Sequence, residues 1–136
     1  VLDVGCATGY STAVLSHLAG TVVGLEENGE LAEKASEALA QLGLHATAIA
    51  QGPLQEGYPK DAPFNVIIFQ GAIDRVPSLF FDQLAERGRL VAVEGLGLSG
   101  MAKLYTKENG LVSDRFGFNC SLKPLPGFER TQSFVF

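Results

Sequence analysis

The first ten residues constrain the fold more than any other stretch of the chain. They read Val1-Leu-Asp-Val-Gly-Cys-Ala-Thr-Gly-Tyr10, an apolar run that stops at glycine before a helical pattern begins. We expect a strand, a tight turn and a helix, because Gly5 and Gly9 can adopt backbone conformations that a Cβ forbids. Glycine also lets a small molecule approach the main chain, and the helix directs free N–H groups to the same spot. The stretch therefore predicts a ligand site at the turn.

The spacing of the glycines separates two kinds of nucleotide site. A dinucleotide fingerprint, Gly-x-Gly-x-x-Gly, would need glycine where this chain has Ala7 and Tyr10. The run Asp3-x-Gly5-x-Ala7-x-Gly9 instead resembles the first motif of class I S-adenosylmethionine (SAM) methyltransferases, with Ala7 in place of the middle glycine. If that position requires a positive φ, alanine is strained there by about 1 kcal/mol. The backbone at Ala7 is then either ordinary or adapted to this strain.

The rest of the chain alternates between short apolar strands and helical patterns. After the first strand, we expect strands at Thr21–Glu26, His45–Ala50, Phe64–Phe69 and Arg89–Glu94. We expect helices at Ser11–Ala19, from an N-cap at Asn28 to a stop at Gly43, and at Pro77–Ala85, with a loop at Gln51–Pro63. Such alternation indicates a parallel sheet with right-handed crossovers and helices on both faces. We place the first strand in its centre, between the second and the fourth.

The C-terminal part has a different pattern. Met101–Thr106 alternates between apolar and polar residues, Glu108-Asn-Gly110 is a hairpin signal, and the alternation resumes from Phe116 to Leu122. These features predict two antiparallel strands that close an otherwise parallel sheet. A dinucleotide-binding fold would continue in parallel, whereas this layout is similar to that of SAM methyltransferases. The expected fold is α/β and Rossmann-like, of the class I SAM methyltransferase type, with five parallel strands plus an antiparallel C-terminal hairpin.

Composition excludes several classes of function. With 46% hydrophobic and 18% charged residues, the chain is typical of a globular protein, and no apolar run approaches the roughly 20 residues of a membrane span. A net charge of −5 and scattered basic residues argue against nucleic acid as a partner. Cys6 and Cys120 lie far apart, and His17 and His45 lack the spacing of metal ligands, so neither a disulfide framework nor a metal site is indicated. A reducing cytoplasm is the expected compartment.

Longer stretches of the chain resemble the protein-L-isoaspartate O-methyltransferase family, in a bacterial branch. The match spans nearly all 136 residues, and the stretches that carry it are Val1–Ser11, Val22–Glu26, Gly57-Tyr-Pro59, Ala62–Ile68 and Phe81–Leu90. The Gly-aromatic-Pro loop and the run Asp82-Gln-Leu-Ala85 are more specific to this family than the glycine motif is. The resemblance implies SAM as cofactor, and methylation of the isoaspartyl carboxylate of a damaged protein or peptide as a repair reaction.

The chain departs from this family at two further points. The family has a helical N-terminal segment with a substrate loop, whereas position 1 here is Val and already lies inside the first strand. We therefore expect residues 1–136 to be one SAM-binding methyltransferase domain and a fragment that lacks this segment. After the third strand the family has Gly-Asp-Gly, whose acid contacts the adenine amino group, but this chain has Gln51-Gly-Pro-Leu54. Adenine recognition is expected to differ.

Glu26 and Asp3 are the two acids of the predicted site. Glu26 ends the second strand, where a carboxylate can accept hydrogen bonds from both ribose hydroxyls; otherwise it is a solvated acid beside Glu27. Asp3 lies inside an apolar strand, where an acid must be paired or hydrogen-bonded. It therefore either lies near the cofactor or anchors the glycine loop.

The predicted cofactor-binding residues are Asp3, Gly5, Cys6, Ala7, Gly9, Glu26, Gly52 and Pro53. Cys6 is expected to be a small loop residue, because no base adjoins it in sequence. His17 and His45 are expected to be structural. Asp74 and Arg75 follow the fourth strand and either face the substrate or form a solvated pair.

No catalytic residue is predicted. Methyl transfer from a sulfonium requires chiefly that the reacting atoms be held in line. A carboxylate acceptor is already ionised at neutral pH, so no general base is needed. A SAM methyltransferase with another acceptor and an inactive methyltransferase-like binding module remain alternatives, while a NAD-dependent dehydrogenase is disfavoured by the glycine spacing. The oligomeric state is left open.

Overall fold

The computed structural model describes residues 1–96 and 100–128. The strands of this part of the chain are β1 Leu2–Val4, β2 Val22–Glu26, β3 Thr47–Gln51, β4 Phe64–Ile73, β5 Leu84–Glu94, β6 Met101–Glu108 and β7 Leu111–Asn119. They form one seven-stranded sheet in the order β3-β2-β1-β4-β5-β6-β7. Strands β1 to β5 pair in parallel, whereas β6 pairs antiparallel with β5 and β7. The predicted class I methyltransferase fold is confirmed, including the central place of β1.

Helices and turns connect the parallel strands. They are α1 Tyr10–Ser16, α2 Gly29–Gln41 and α3 Leu79–Asp82, with short 3₁₀ turns at Leu54–Glu56 and Pro59–Asp61. Helix α2 has the predicted N-cap, because Oδ1 of Asn28 accepts hydrogen bonds from the N–H groups of Glu30 and Leu31 at 3.0 and 3.1 Å. No helix in the described residues is long and apolar enough to cross a membrane.

The helices lie on both faces of the sheet. Alternate residues of a strand point to opposite faces. Asp3 of β1 points towards α1, since its carboxylate accepts a hydrogen bond from Thr12 at 2.8 Å. Leu2 and Val4 point the other way and pack in the core cluster that contains Phe80 of α3. The prediction of helices on both faces is thereby confirmed.

The main core lies on the α3 side of the sheet and reaches its carboxyl-terminal edge. Phe69 of β4 contacts Phe80 and Phe128 edge to face, with ring centroids 4.8 and 5.6 Å apart. Fully burying an aromatic or branched side chain stabilises the fold by about 1.5–3 kcal/mol. Because Phe128 follows β7 in the chain, this packing fixes a C-terminal segment against the end of β4.

The predicted boundaries between β4 and β5 were wrong. The helix expected at Pro77–Ala85 is only the four-residue α3, and β5 begins at Leu84 rather than at Arg89. Leu84 is fully buried and pairs with Phe64, whose N–H donates to the carbonyl of Gln83 at 2.8 Å. Strand pairing and burial of Leu84 outweigh the local helical pattern.

Strand β4 also extends past its predicted end at Phe69, up to Ile73. Ala72 and Ile73 pair with Val93 and Glu94 of β5, and the N–H of Ala72 donates to the carbonyl of Lys123 at 2.8 Å. These partners lie far away in sequence, so the local pattern does not reveal them. Smaller differences affect α1, which ends at Ser16, and β3, which starts at Thr47.

The predicted C-terminal hairpin is confirmed. Its turn is Asn109-Gly110, with φ values of 53° and 75°. Positive φ at both central residues is what a type I′ turn requires, and Asn-Gly is its preferred sequence.

Candidate functional site

A cleft of about 540 Å³ lies at the carboxyl-terminal ends of β1, β2 and β4. It is lined by Gly5, Ala7, Glu26, Glu27, Asn28, Leu31, Leu54, Gln70, Lys123, Pro124, Leu125 and Pro126. Open α/β sheets bind ligands at this edge, where the connections leave a central strand in opposite directions. Here the chain passes from β1 to β2 on one side and later enters β4 on the other. Small-molecule sites have volumes of about 300–1,000 Å³, so the cleft has a suitable size.

Glu26 forms the β2 wall of the cleft and is only 7% exposed. Its Oε1 accepts a hydrogen bond from the N–H of Ala7 at 2.8 Å, and its Oε2 accepts one from the N–H of Asn28 at 2.9 Å. The carboxylate therefore ties the turn after β1 to the start of α2. Each carboxylate oxygen has a second lone-pair site, so both can still accept a hydrogen bond from a ligand.

The turn after β1 has a left-handed backbone at the position where alanine replaces glycine. The φ of Ala7 is 50°, so the loop is adapted to alanine rather than ordinary at this residue. The hydrogen bond from Ala7 to Glu26 helps to offset the strain. Gly5 has a φ of 84°, and a Cβ there would lie 2.7 Å from Cδ2 of Leu125. Gly5 is thus required both by its backbone and by the opposite wall.

Asp3 is fully buried and does not line the cleft. Its Oδ2 accepts hydrogen bonds from the hydroxyls of Ser11 and Thr12 at 2.6 and 2.8 Å. Its Oδ1 accepts one from Nε2 of Gln70 at 2.7 Å. Asp3 therefore anchors the start of α1 and the end of β4 to β1, and it acts behind the cleft.

Gly9 and Cys6 also lie outside the lining of the cleft. Gly9 has a φ of 90°, and a Cβ there would approach the Cβ of Ala35 to 3.1 Å, so this glycine lets α1 and α2 pack closely. Cys6 is 3% exposed, and burial together with the charge of Asp3 raises the pKa of its thiol to about 12. A thiol that stays protonated is a poor nucleophile, which agrees with its expected loop role.

The segment after β3 contributes an apolar wall. The predicted residues Gly52 and Pro53 do not line the cleft, but the adjacent Leu54 does. The N–H of Gly52 donates to the carbonyl of Glu26 at 3.1 Å, which fixes the segment beside β2. Among the eight predicted residues, the structure thus brings Gly5, Ala7 and Glu26 together in the cleft.

The wall opposite Glu26 was not predicted from the sequence. It consists of Gln70 and of residues 123–126, which belong to a segment, residues 123–128, that we call the C-terminal strap. The strap runs parallel to the end of β4 at Ala72, whose N–H donates to Lys123 O at 2.8 Å and whose carbonyl accepts the N–H of Leu125 at 2.9 Å. A Cβ on Gly71 would lie 2.7 Å from Lys123 O. Gly71, which follows the apolar run of β4, is the one signal in the sequence that could have indicated this close approach.

Asp74 and Arg75 do not line the cleft, although their loop is held firmly. The N–H of Val76 donates to Oε1 of Glu94 at 3.2 Å, and the hydroxyl of Tyr105 donates to the same oxygen at 2.5 Å. Burial alone would raise the pKa of Glu94, but these hydrogen bonds and Lys103 hold the pKa below its usual value. Glu94 is therefore a charged anchor for the loop after β4.

A second hollow of about 650 Å³ lies at the opposite edge of the sheet, near Val1, Thr21 and His45. It sits at the amino-terminal ends of the strands, where open α/β sheets do not place their ligands. In the part of the chain that the structure describes, no group of His, Cys, Asp and Glu side chains could hold a metal ion. The cleft beside Glu26 is the candidate site.

Known proteins share both the sequence and the fold. The family model described as protein-L-isoaspartate(D-aspartate) O-methyltransferase (PCMT) matches residues 1–127. The protein-L-isoaspartate O-methyltransferase of Methanoculleus marisnigri is 34% identical, with 93% of this chain and 58% of that protein covered. The protein of the same name from Pseudomonas syringae pv. tomato is 38% identical, with 81% and 53% covered. The chain therefore spans little more than half the length of these relatives.

Solved structures agree with this relationship. A protein-L-isoaspartate O-methyltransferase superposes with a TM-score of 0.86 at 28% identity, over 93% of this chain and 41% of that one. A putative family member from Plasmodium falciparum, determined with S-adenosyl-L-homocysteine (SAH), has a TM-score of 0.72 at 21% identity, over 91% and 64%, and it supports the fold alone. By the family match, the sequence identities and the fold, this chain belongs to the protein-L-isoaspartate O-methyltransferase family.

Proposed function

We propose that the protein methylates the isoaspartyl carboxylate of damaged proteins, with SAM bound in the cleft beside Glu26. The observation that carries the proposal is the buried Glu26 carboxylate, fixed at the end of β2 next to the glycine turn of the first motif. Membership of the family supports the reaction, and the cleft supports the cofactor.

Different residues of the cleft would contact the ribose, the adenine and the amino-acid arm of SAM. Glu26 would accept hydrogen bonds from the ribose hydroxyls, because both of its oxygens retain a lone-pair site. Half-buried Leu31 offers an apolar surface to the adenine, and Leu54, which is only 1% exposed, lies behind it. Gly5 and Ala7 leave the main chain open to the amino-acid arm, which would extend towards Gln70. Glu26 and Gln70 stand on β2 and β4, two strand spacings or about 10 Å apart.

The remaining predicted residues would act by shaping this site. Asp3, Cys6 and Gly9 hold the turn from behind, and Gly52 and Pro53 set the direction of the chain into Leu54. With no acid between Gln51 and Leu54, the adenine amino group would donate to a backbone carbonyl. A neutral acceptor of this kind binds more weakly than a carboxylate, since hydrogen bonds to charged groups are worth about 1.5–3 kcal/mol.

Methyl transfer from SAM requires the protein mainly to position the reactants. When bound, SAM supplies a methyl group on a positively charged sulfur, which a carboxylate oxygen can accept while the bonding electrons pass to sulfur. The acceptor is ionised at neutral pH, so no residue of the cleft needs to remove a proton. The cleft residues align the partners and limit access of water, as proximity catalysis requires.

Calorimetry with SAH tests the cofactor site. In the intact natural protein, Glu26→Ala should lower SAH affinity about tenfold or more, because it removes charge-assisted hydrogen bonds worth about 1.5–3 kcal/mol. Glu37→Ala is the matched control, since it removes an exposed acid of α2 that does not line the cleft and should change affinity little. Equal effects of the two variants would remove Glu26 from the site. Preferential binding of NADH would favour a dehydrogenase instead.

A transfer assay tests the reaction. The intact protein is incubated with labelled SAM and matched peptides that contain isoaspartyl or aspartyl residues, together with unrelated small acceptors. Label transfer to the isoaspartyl peptide alone supports the proposal, whereas transfer to another acceptor identifies a different substrate. SAH binding without any transfer would show a binding module that has lost catalysis.

We further propose that residues 1–136 act as one cofactor-binding domain in a reducing cytoplasm. The free thiols of Cys6 and Cys120 support such a compartment.

A further inference from the structure

The charges around the cleft are unevenly distributed. Among its lining residues, Glu26 and Glu27 are acids and Lys123 is the basic one. The chain as a whole carries a net charge of −5. A field of this sign repels an anion that approaches from solvent, so an anionic acceptor needs a local source of positive charge. Lys123 is the lining residue that can provide it.

The backbone of Lys123 is held at a defined place. Its carbonyl accepts a hydrogen bond from the N–H of Ala72 at 2.8 Å, and two residues later the N–H of Leu125 donates to the carbonyl of Ala72 at 2.9 Å. The absence of a Cβ at Gly71 allows this approach, since such an atom would lie 2.7 Å from Lys123 O. Leu125 is itself 8% exposed and packs in the core. The side chain of Lys123 therefore starts from a rigid point on the cleft rim.

The ammonium group of Lys123 is not engaged elsewhere in the described structure. The residue is exposed and is one of those that line the cleft, together with Gln70. Lys107, in contrast, donates to the carbonyls of Phe81 and Leu84 at 2.9 and 3.1 Å. Lys103 is paired with Glu94 at 3.1 Å. Those two lysines hold the fold, whereas Lys123 is available to a ligand.

Position on the rim decides which part of a complex Lys123 would contact. Nε2 of Gln70 donates a hydrogen bond to buried Asp3 at 2.7 Å, so the Gln70 amide has a fixed place in the wall at this end of the cleft. A bound cofactor would lie between Gln70 and Glu26. A residue that stays exposed above it meets the molecule that arrives last from solvent, which is the methyl acceptor.

We propose that the Lys123 ammonium binds the carboxylate of the acceptor and thereby makes the cleft selective for anionic acceptors. This inference rests on the proposed function, because it assumes that the cleft holds SAM and that the acceptor is a carboxylate. A lysine on a flexible stem acts as a point charge without fixed geometry, so arginine should replace it in part.

Steady-state kinetics of the intact protein test the assignment with Lys123→Met, Lys123→Arg and the control Lys60→Met. Lys60 is exposed and lines the hollow at the opposite edge of the sheet, so its loss makes the same change in net charge. Lys123→Met should raise KM for an isoaspartyl peptide about fivefold with kcat nearly unchanged, as expected for a partly exposed ion pair. Lys123→Arg should restore most of the loss. Added salt should narrow the gap between wild type and Lys123→Met, because it screens the charge.

SAH affinity, measured by calorimetry on the same variants, separates the possible failures. If Lys123 binds the acceptor, all variants should bind SAH with the affinity of the wild type. Weaker SAH binding by Lys123→Met with an unchanged acceptor KM would mean that Lys123 contacts the cofactor's own carboxylate, and it would overturn the assignment. Wild-type values of both the SAH affinity and the acceptor KM in Lys123→Met would overturn the assignment as well. Failure of the wild type to bind SAH would instead refute the proposed function, and the assignment with it.

Discussion

The two walls of the cleft are built in different ways. The β2 wall is built within the first 28 residues: Glu26 accepts hydrogen bonds from Ala7, 19 residues earlier, and from Asn28, at 2.8 and 2.9 Å. The β4 wall joins Gln70 to a strap that arrives more than 50 residues later in the chain, and backbone hydrogen bonds to Ala72 hold it. One wall can be recognised from a motif, whereas the other exists only after the sheet has formed.

Asp3 joins Gln70 of the β4 wall to the helix that follows the glycine turn, and its loss should have the largest effect. Asp3→Ala leaves the hydroxyl of Thr12 and the amide of Gln70 without their buried acceptor. We expect a loss of about 3 kcal/mol in the free energy of unfolding, because each unsatisfied buried polar group costs about 1–3 kcal/mol. Urea denaturation measures it. Ser11→Ala removes one partner only and should cost clearly less; a similar cost for both variants would mean that Asp3 is not the shared anchor.

Gly71→Ala tests the β4 wall alone. The added Cβ would lie 2.7 Å from Lys123 O and 2.8 Å from Cγ of Leu125, so the strap must shift. Overpacking of this kind costs about 1–3 kcal/mol, and acceptor kinetics should suffer more than SAH affinity. Gly20→Ala, where nothing lies within 4 Å of the added atom, serves as the comparison in the distant connection between α1 and β2. An undisturbed Gly71→Ala protein would show that the strap does not pack tightly on β4.

The loop after β4 should be sensitive to acid. The pKa of Glu94 is lowered in the folded protein, so its stabilising effect is present above the ordinary carboxyl pKa and is lost as the pH falls through the lowered value. Glu94→Gln should cost about 1–2 kcal/mol at neutral pH, because the amide weakens the charge-assisted hydrogen bonds that Tyr105 and Lys103 make to the carboxylate. It should also flatten the fall in melting temperature below about pH 4.5. A wild-type and a Glu94→Gln curve that remain parallel in acid would contradict this role.

Ala7→Gly tests the β2 wall and should have the smallest effect on the free energy of unfolding. Glycine relieves the left-handed strain at φ 50° but adds flexibility to the unfolded chain. We expect a net stabilisation of about 0.5 kcal/mol, read as a small rise in the urea midpoint. Ala13→Gly, inside α1, should be destabilising by contrast. Destabilisation by Ala7→Gly would show that the loop has no strain to release.

Local chemistry explains how far the sequence could predict this molecule. The alternation of strands and helices, the Asn28 cap, the Asn109-Gly110 turn and the position of Glu26 all follow from residues near one another in the chain. The extension of β4, the early start of β5 and the roles of Gln70 and Lys123 depend on partners that are distant in sequence. Gly9 shows why the sequence alone does not decide between roles. A glycine is needed both for contact with a ligand, which was predicted, and for close packing against Ala35, which the structure has.

A crystal structure of the intact protein with SAH would test the central claim most directly. We expect both ribose hydroxyls within hydrogen-bonding distance of the Glu26 carboxylate, the adenine on the Leu54 side of the cleft, and the amino-acid arm pointing towards Gln70. SAH bound at the opposite edge of the sheet, or in the cleft without contact to Glu26, would contradict it.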